Sequence, residues 1–192
     1  VYSQDASADR DALVVETILR LEQFDLDAKP RTKDAVLRWL AAHPGDERFF
    51  DVVERFRIRE AGDSLLTLAA TRSDETAGVR AIRLLLELDP ARVDAMLADA
   101  GADAERAAAL VRALGAAGGR QAIDRLDHCV EDTALPLAVR SAAAGALGRS
   151  RDGGESLLAR TRRGSLPAEL RFTVSAALAG SPDAAIRTAA AE

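Results

Sequence analysis

Leu135-Pro136-Leu137-Ala138-Val139-Arg140 is answered 31 positions later by Leu166-Pro167-Ala168-Glu169-Leu170-Arg171, and both lines run on to an Ala-Leu pair, at Ala146-Leu147 and Ala177-Leu178. A line repeated at such a period encodes units that cannot bury their apolar faces alone and must stack on neighbours. Looser copies lie upstream, at Gly78-Val79-Arg80 and from Glu105-Arg106 to Ala113-Leu114-Gly115. The spacing between Leu114, Leu147 and Leu178 is 31 to 33 residues, the length of a helix, a turn and a second helix.

Helical periodicity continues outward from the repeated line. Between Asp9 and Phe24, Val14, Val15, Ile18, Leu19 and Leu21 form one apolar stripe, and Pro30 suits the first turn of the next helix, which carries Val36, Leu37 and Leu40. Pro44-Gly45 punctuates, and Phe49, Val52, Val53 and Phe56 follow at helical spacing. After Gly62-Asp63 come Leu65, Leu66 and Leu68, and Ser73-Asp74-Glu75 offers a cap for Val79, Ile82, Leu85 and Leu86. Asp89-Pro90 and Gly101-Ala102-Asp103 open two further helices, the second stopped by Gly115 and Gly118-Gly119, and Ile123, Leu126 and Val130 mark its partner. The last third predicts helices over 135–148, about 154–163 and 166–179, with Pro182 opening one that runs to Glu192.

Composition agrees with an all-α fold. Apolar residues make up 48% of the chain but aromatics only 4%, and abundant alanine favours closely packed helices over sheets. Residues 1–100 hold 14 basic and 20 acidic side chains and residues 101–192 hold 12 and 11, so no large basic field is present to hold nucleic acid. No apolar run approaches the roughly 18 residues of a membrane span. Cys129 is the sole cysteine, which rules out an intramolecular disulfide. Val1 in place of methionine, and a final helix with no polar cap, lead us to expect a segment excised from a longer chain.

Val139-Arg140, small residues and then Ala146-Leu147-Gly148 resemble the HEAT-repeat family, over roughly residues 74–192. The resemblance implies a right-handed α-α superhelix, a solenoid of about five to six helix pairs over 1–192, with 1–73 as diverged pairs. Tetratricopeptide units share a similar period but want aromatic and Gly-Tyr positions that this chain lacks. Glu16 to Leu21 with Phe24-Asp25-Leu26, Ala146 to Ser150 and Leu166 to Leu170 also resemble the helical segment that precedes a c-type cytochrome module in large bacterial multidomain proteins. That resemblance implies an exported parent protein. It brings no haem to this chain, because one cysteine cannot form the Cys-x-x-Cys-His attachment motif.

Few side chains suggest chemistry. His128 and Cys129 adjoin, but neighbours on a helix diverge by about 100° and make a poor chelate, so Cys129 reads as a small core or edge residue. His43 falls at a helix end, where it meets terminal carbonyls, and Trp39 beside Val36 and Leu40 reads as hairpin core or interface anchor. Asp46-Glu47 and Asp74-Glu75 sit at helix starts, where acids are stabilised without any catalytic role. Gly115 to Gly119 follows no strand and lacks a Gly-Lys-Ser/Thr ending, so it reads as a turn and not a phosphate loop. Arg149, Arg151, Arg160, Arg162 and Arg163 form the sharpest charge cluster, either a patch for an anionic partner or a solvated rim paired with Asp152 and Glu155. Arg80, Arg106, Arg140 and Arg171 recur near the starts of equivalent helices. In HEAT-type arrays such arginines bond the adjacent repeat, which implies a structural ladder here.

These readings favour a non-catalytic scaffold without cofactor or metal, which binds a protein partner or positions neighbouring domains. The alternatives are a repeat-built enzyme such as a HEAT-like chromophore lyase or DNA glycosylase, and a purely structural spacer.

Overall fold

The structure is a computed structural model that describes Tyr2 to Ala191, with side chains from Ser7 onward; Val1 and the expected end of the last helix at Glu192 lie outside the described residues. Among the described residues it holds twelve α-helices, two short 3-10 turns and no strand. The fold is all-α. The chain divides into two compact units, with the boundary in the sequence between Leu65 and Leu66.

The first unit contains α1 (Tyr2–Arg20), α2 (Pro30–Ala42), α3 (Glu47–Phe56), a 3-10 turn (Arg59–Ala61) and the start of α4 (Gly62–Thr71). Pro30 occupies the first turn of α2, where its missing N–H leaves no bond unmade. Val36, Phe49, Val52 and Val53 are fully buried. Polar groups fasten the helices around them. Arg38 on α2 grips the buried Asp11 of α1 through Nε and Nη2, both at 2.8 Å, and Arg55 on α3 donates to the carbonyls of Leu19, in the last turn of α1, and Leu21, just past it. Lys33 lies between Asp27 (2.7 Å) and Glu60 (2.6 Å), which together raise its pKa, while Lys33 and then the backbone N–H of Glu60 lower that of Glu60.

The second unit takes the rest of α4 and then α5 (Thr76–Leu88), α6 (Pro90–Ala98), α7 (Ala104–Ala117), α8 (Arg120–Glu131), α9 (Leu137–Leu147), α10 (Arg151–Arg163), α11 (Arg171–Ala179) and α12 (Ala184–Ala191). Successive helices pack in pairs, α5 with α6, α7 with α8, α9 with α10 and α11 with α12. Alternate helices also touch: α5, α7, α9 and α11 form one row, and α8, α10 and α12 a second. Leu85, Leu110, Leu114, Leu147 and Leu157, carried by helices of both rows, have no exposure, each burial contributing about 2 kcal/mol.

The Ala-Leu-Gly line now has a physical reason. A Cβ on Gly115 would stand 2.6 Å from the Cβ of Ala146, and one on Gly148 would stand 2.7 Å from that of Ala177. Each glycine therefore lets the next helix of the row approach to a distance that only small residues allow. This corrects the expectation that Gly115 stops α7: the helix runs through it to Ala117 and ends at Gly118 and Gly119, whose φ of 65° and 82° suit glycine. Boundaries differ elsewhere too. Helix α10 opens at Arg151, where the Ser150 hydroxyl accepts from Gly153 N, and the second Leu-Pro line passes through a 3-10 turn (Ala168–Leu170) before α11.

Candidate interaction surface

The five arginines of the predicted cluster do not share one surface. Arg160 departs from it: its guanidinium is buried against α8, with Nη2 3.1 Å from Asp127 Oδ1 and Nη1 on Glu131. Asp127 also accepts from Ser156 Oγ at 2.7 Å. Arg151 is exposed and pairs one turn along its own helix with Glu155 at 3.0 Å. Arg149, Arg162 and Arg163 are exposed, Arg162 and Arg163 in the last turn of α10, where the carbonyl end of the helix favours positive charge.

The four arginines of the expected ladder divide as well. Arg140 is buried on α9 and donates through Nη1 to Glu169 Oε1 at 2.8 Å, across the gap to the turn that leads into α11. Its Nε and Nη2 find no partner among the described residues. The backbone N–H of Glu169 and then Arg140 hold that carboxyl below its usual pKa. Arg106 is exposed and reaches only as far as the Thr67 hydroxyl, at 3.4 Å; Arg80 is half-buried, and Arg171 is exposed.

A different ladder, unread in the sequence, links the row that carries α8 and α10. Arg125 on α8 reaches back 31 residues to clamp Asp94 of α6 with Nε at 2.7 Å and Nη2 at 3.1 Å, and Arg160 on α10 reaches back 33 to Asp127 on α8. In the other row, Arg83 on α5 donates to the carbonyl of Ala117 at the end of α7. For the Arg125 and Arg160 joints the signal lay in an acid and an arginine recurring about one period apart, in the helices that do not carry the Leu-Pro line.

Two concavities of this unit bring polar side chains together. The smaller, about 250 Å³, is lined by Asp94, Arg125, His128, Cys129 and Asp132. Burial, then the charges of Asp132 and Asp94, push the Cys129 thiol up to about 11, so at neutral pH it is a protonated core group and a poor nucleophile. Among the described residues no cluster of three or more His, Cys, Asp and Glu is placed to hold a metal ion.

The larger is a cleft of about 690 Å³ bounded by α10, α11 and α12. Arg171, Val174, Ser175 and Leu178 line it from α11 at helical spacing, facing Leu158 of α10 and Leu166 of the preceding connection. Arg162 and Arg187 join Arg171 on its walls, and no carboxylate of the described residues lines it. Arg187 is held by the carbonyls of Ser181 and Pro182, which fix its position without neutralising it. Beside the cleft, Phe172 stands 86% exposed. An apolar floor under three guanidinium groups is suited to an amphipathic, anionic surface.

No family model, curated protein or solved structure matches the chain. Among the described residues no helix is long and apolar enough to cross a membrane.

Proposed function

We propose that this chain is a HEAT-like helical-repeat scaffold without catalysis of its own, which holds a protein partner on its second unit. The observation that carries this reading is the use made of the polar residues that unit buries. Arg140 and Arg160 both join one helix pair to another, as does the partly exposed clamp of Arg125 on Asp94. Stacking joints of this kind build an extended surface instead of a reaction centre. The single cysteine, protonated and buried, fits that role. What the joints leave open is the arginine-walled cleft together with Phe172, the combination of apolar anchor and arginine that dominates protein interfaces.

In-cell crosslinking tests the reading. A photoreactive amino acid replaces, one at a time, Ser175 in the cleft, Phe172 beside it, and the exposed Leu137 of α9. The expected result is one discrete protein adduct from at least one of these sites. Absence of adducts from all three would leave the spacer reading in its place.

A further inference from the structure

We propose that the smaller cavity, lined by α6, α8 and the connection after α8, binds a small organic cation with a guanidinium head and a short aliphatic stem. The site goes beyond the scaffold reading and does not depend on it. The next interface of the row supplies the template. Leu126 matches Leu157 and Ala122 matches Gly153, all four buried, so Cys129 on α8 holds the place that Arg160 takes on α10. Val93 matches Leu126 in the same way, so Asp94 corresponds to Asp127 and Ala98 to Glu131. Between α8 and α10 the guanidinium of Arg160 is buried against Asp127 and Glu131. One interface earlier, Arg160 and Glu131 are cut back to Cys129 and Ala98, and these two line a hollow of about 250 Å³. Its lining runs from Asp94 to Leu135, with helices of the second unit both before and after it along the chain.

Charge selects a cation. Two carboxylates, Asp94 and Asp132, face one guanidinium, Arg125, with the exposed His128 beside them. Arg125 is engaged by Asp94 and, through Nη1 at 3.0 Å, by the carbonyl of Gln121. Asp132 has no counter-charge among the described residues and accepts from the Ala134 N–H at 2.9 Å. It also caps the C-terminal end of α8, and Ala98 is the last residue of α6, so the negative ends of two helices adjoin the hollow. After burial, the charges of Asp132 and Asp94 are what push the Cys129 thiol up, which gives the sign of the field inside. Shape selects the rest. Leu97, Leu135 and the buried thiol, which makes no hydrogen bond among the described residues, form an apolar wall for a stem. The volume is below the roughly 300–1,000 Å³ of pockets for drug-sized ligands, which limits the occupant to the size of one side chain. A guanidinium is more weakly hydrated than an ammonium and meets a carboxylate with two parallel N–H groups.

Calorimetric titration of the full chain with butylguanidinium tests this, with butylamine and the neutral butylurea as controls. Butylguanidinium is expected to saturate one site with a dissociation constant at or below about 1 mM, and to bind at least about fivefold more tightly than either control. Asp132→Asn keeps the acceptor for Ala134 but loses the charge, and should weaken binding about tenfold. Ala98→Glu, at an exposed position, restores the counterpart of Glu131 and should tighten binding by about the same factor. Ala98→Leu fills the hollow from the same position without charge and should abolish binding. The peptide acetyl-Gly-Arg-Gly-amide distinguishes two sources of the same head group. Tighter binding than butylguanidinium assigns the site to an arginine side chain of a polypeptide, and weaker binding assigns it to a free cation. Absence of saturable binding to the folded parent overturns the proposal. So does equal affinity for butylurea, which would make the hollow merely apolar, or for butylamine, which would remove the preference for a guanidinium. An affinity that neither Asp132→Asn nor Ala98→Glu changes would place the cation elsewhere on the chain, and overturns it as well.

Discussion

Gly148 and Ala177 meet so closely that a Cβ added to Gly148 would lie 2.7 Å from the Cβ of Ala177 and 2.9 Å from its carbonyl oxygen. Gly148 has an ordinary right-handed φ of −61°, so the demand for glycine here is for space and not for an unusual backbone. Ala177 cannot swing aside, because the contact includes its backbone. Gly148→Ala should therefore cost about 1–3 kcal/mol by forcing α9 and α11 apart. Gly145→Ala, inside α9 with nothing within 4 Å of the added carbon, should stabilise by about 0.5–1 kcal/mol through helix propensity. Urea denaturation of both variants separates the two effects, and equal changes at the two glycines would deny the close approach.

The Arg160–Asp127 joint predicts an asymmetry between two arginines of one helix. Arg160→Met leaves Asp127, 21% exposed, with the Ser156 hydroxyl but no counter-charge, and should cost about 2 kcal/mol. Adding Asp127→Asn should restore part of that loss, because the stranded charge is then gone. Arg151→Ala removes an exposed pair with Glu155 and should leave the unfolding midpoint unchanged. A double-mutant cycle measures the first pair, and a coupling no larger than that of Arg151 with Glu155 would remove Arg160 from the ladder.

Removing either side of the Arg140–Glu169 pair should not be equivalent. Arg140 is buried with two guanidinium nitrogens unpartnered among the described residues, whereas Glu169 is 44% exposed and regains water when released. Arg140→Met should leave stability unchanged or raise it, since an apolar side chain replaces a poorly satisfied buried cation. Glu169→Gln should lower the melting temperature, because it takes away the only counter-charge that Arg140 has among the described residues. The pH dependence follows in sign. The carboxyl has a lower pKa folded than unfolded, so its contribution is present above its ordinary value near 4.5 and is lost as pH falls through the folded value. The acid limb of a thermal-stability profile should therefore be shallower in Arg140→Met than in the parent.

The sequence made the helices legible because their signals are local. Apolar spacing, the Pro30 and Pro90 starts and the Gly118-Gly119 stop each act within one or two turns. Gly115 misled for the opposite reason: its purpose is the approach of Ala146, 31 residues away, and a glycine that serves packing looks in sequence like one that ends a helix. The repeated arginines show the same limit. Arg140 is buried because Glu169 comes to it, while the position matching Glu169 in the preceding line is Ala138, so the repeated residue alone does not say whether it is joined. The working joints of Arg125 and Arg160 lie on the other row, outside the line that revealed the repeat. The cleft was least legible, since three helices and a connection converge on it and none shows its share in isolation.

The thiol of Cys129 reports directly on the integrity of the second unit. Its side chain is buried on α8, and its pKa is pushed up to about 11 by burial, then by Asp132 and Asp94, from an ordinary value near 9. At pH 7.5 the folded protein should react with a disulfide reagent far more slowly than the urea-unfolded chain, at a rate that falls with its opening equilibrium. The linkage sign is opposite to that of Glu169. The folded state holds this proton more tightly than the unfolded one, so the contribution is full below about 9 and is lost as pH rises through about 11. Cys129→Ala removes the titrating group, and its stability should decline less steeply than the parent's across that interval. A native thiol that reacts as fast as the unfolded one at pH 7.5 would place Cys129 on the surface and reopen the smaller cavity as a reactive site.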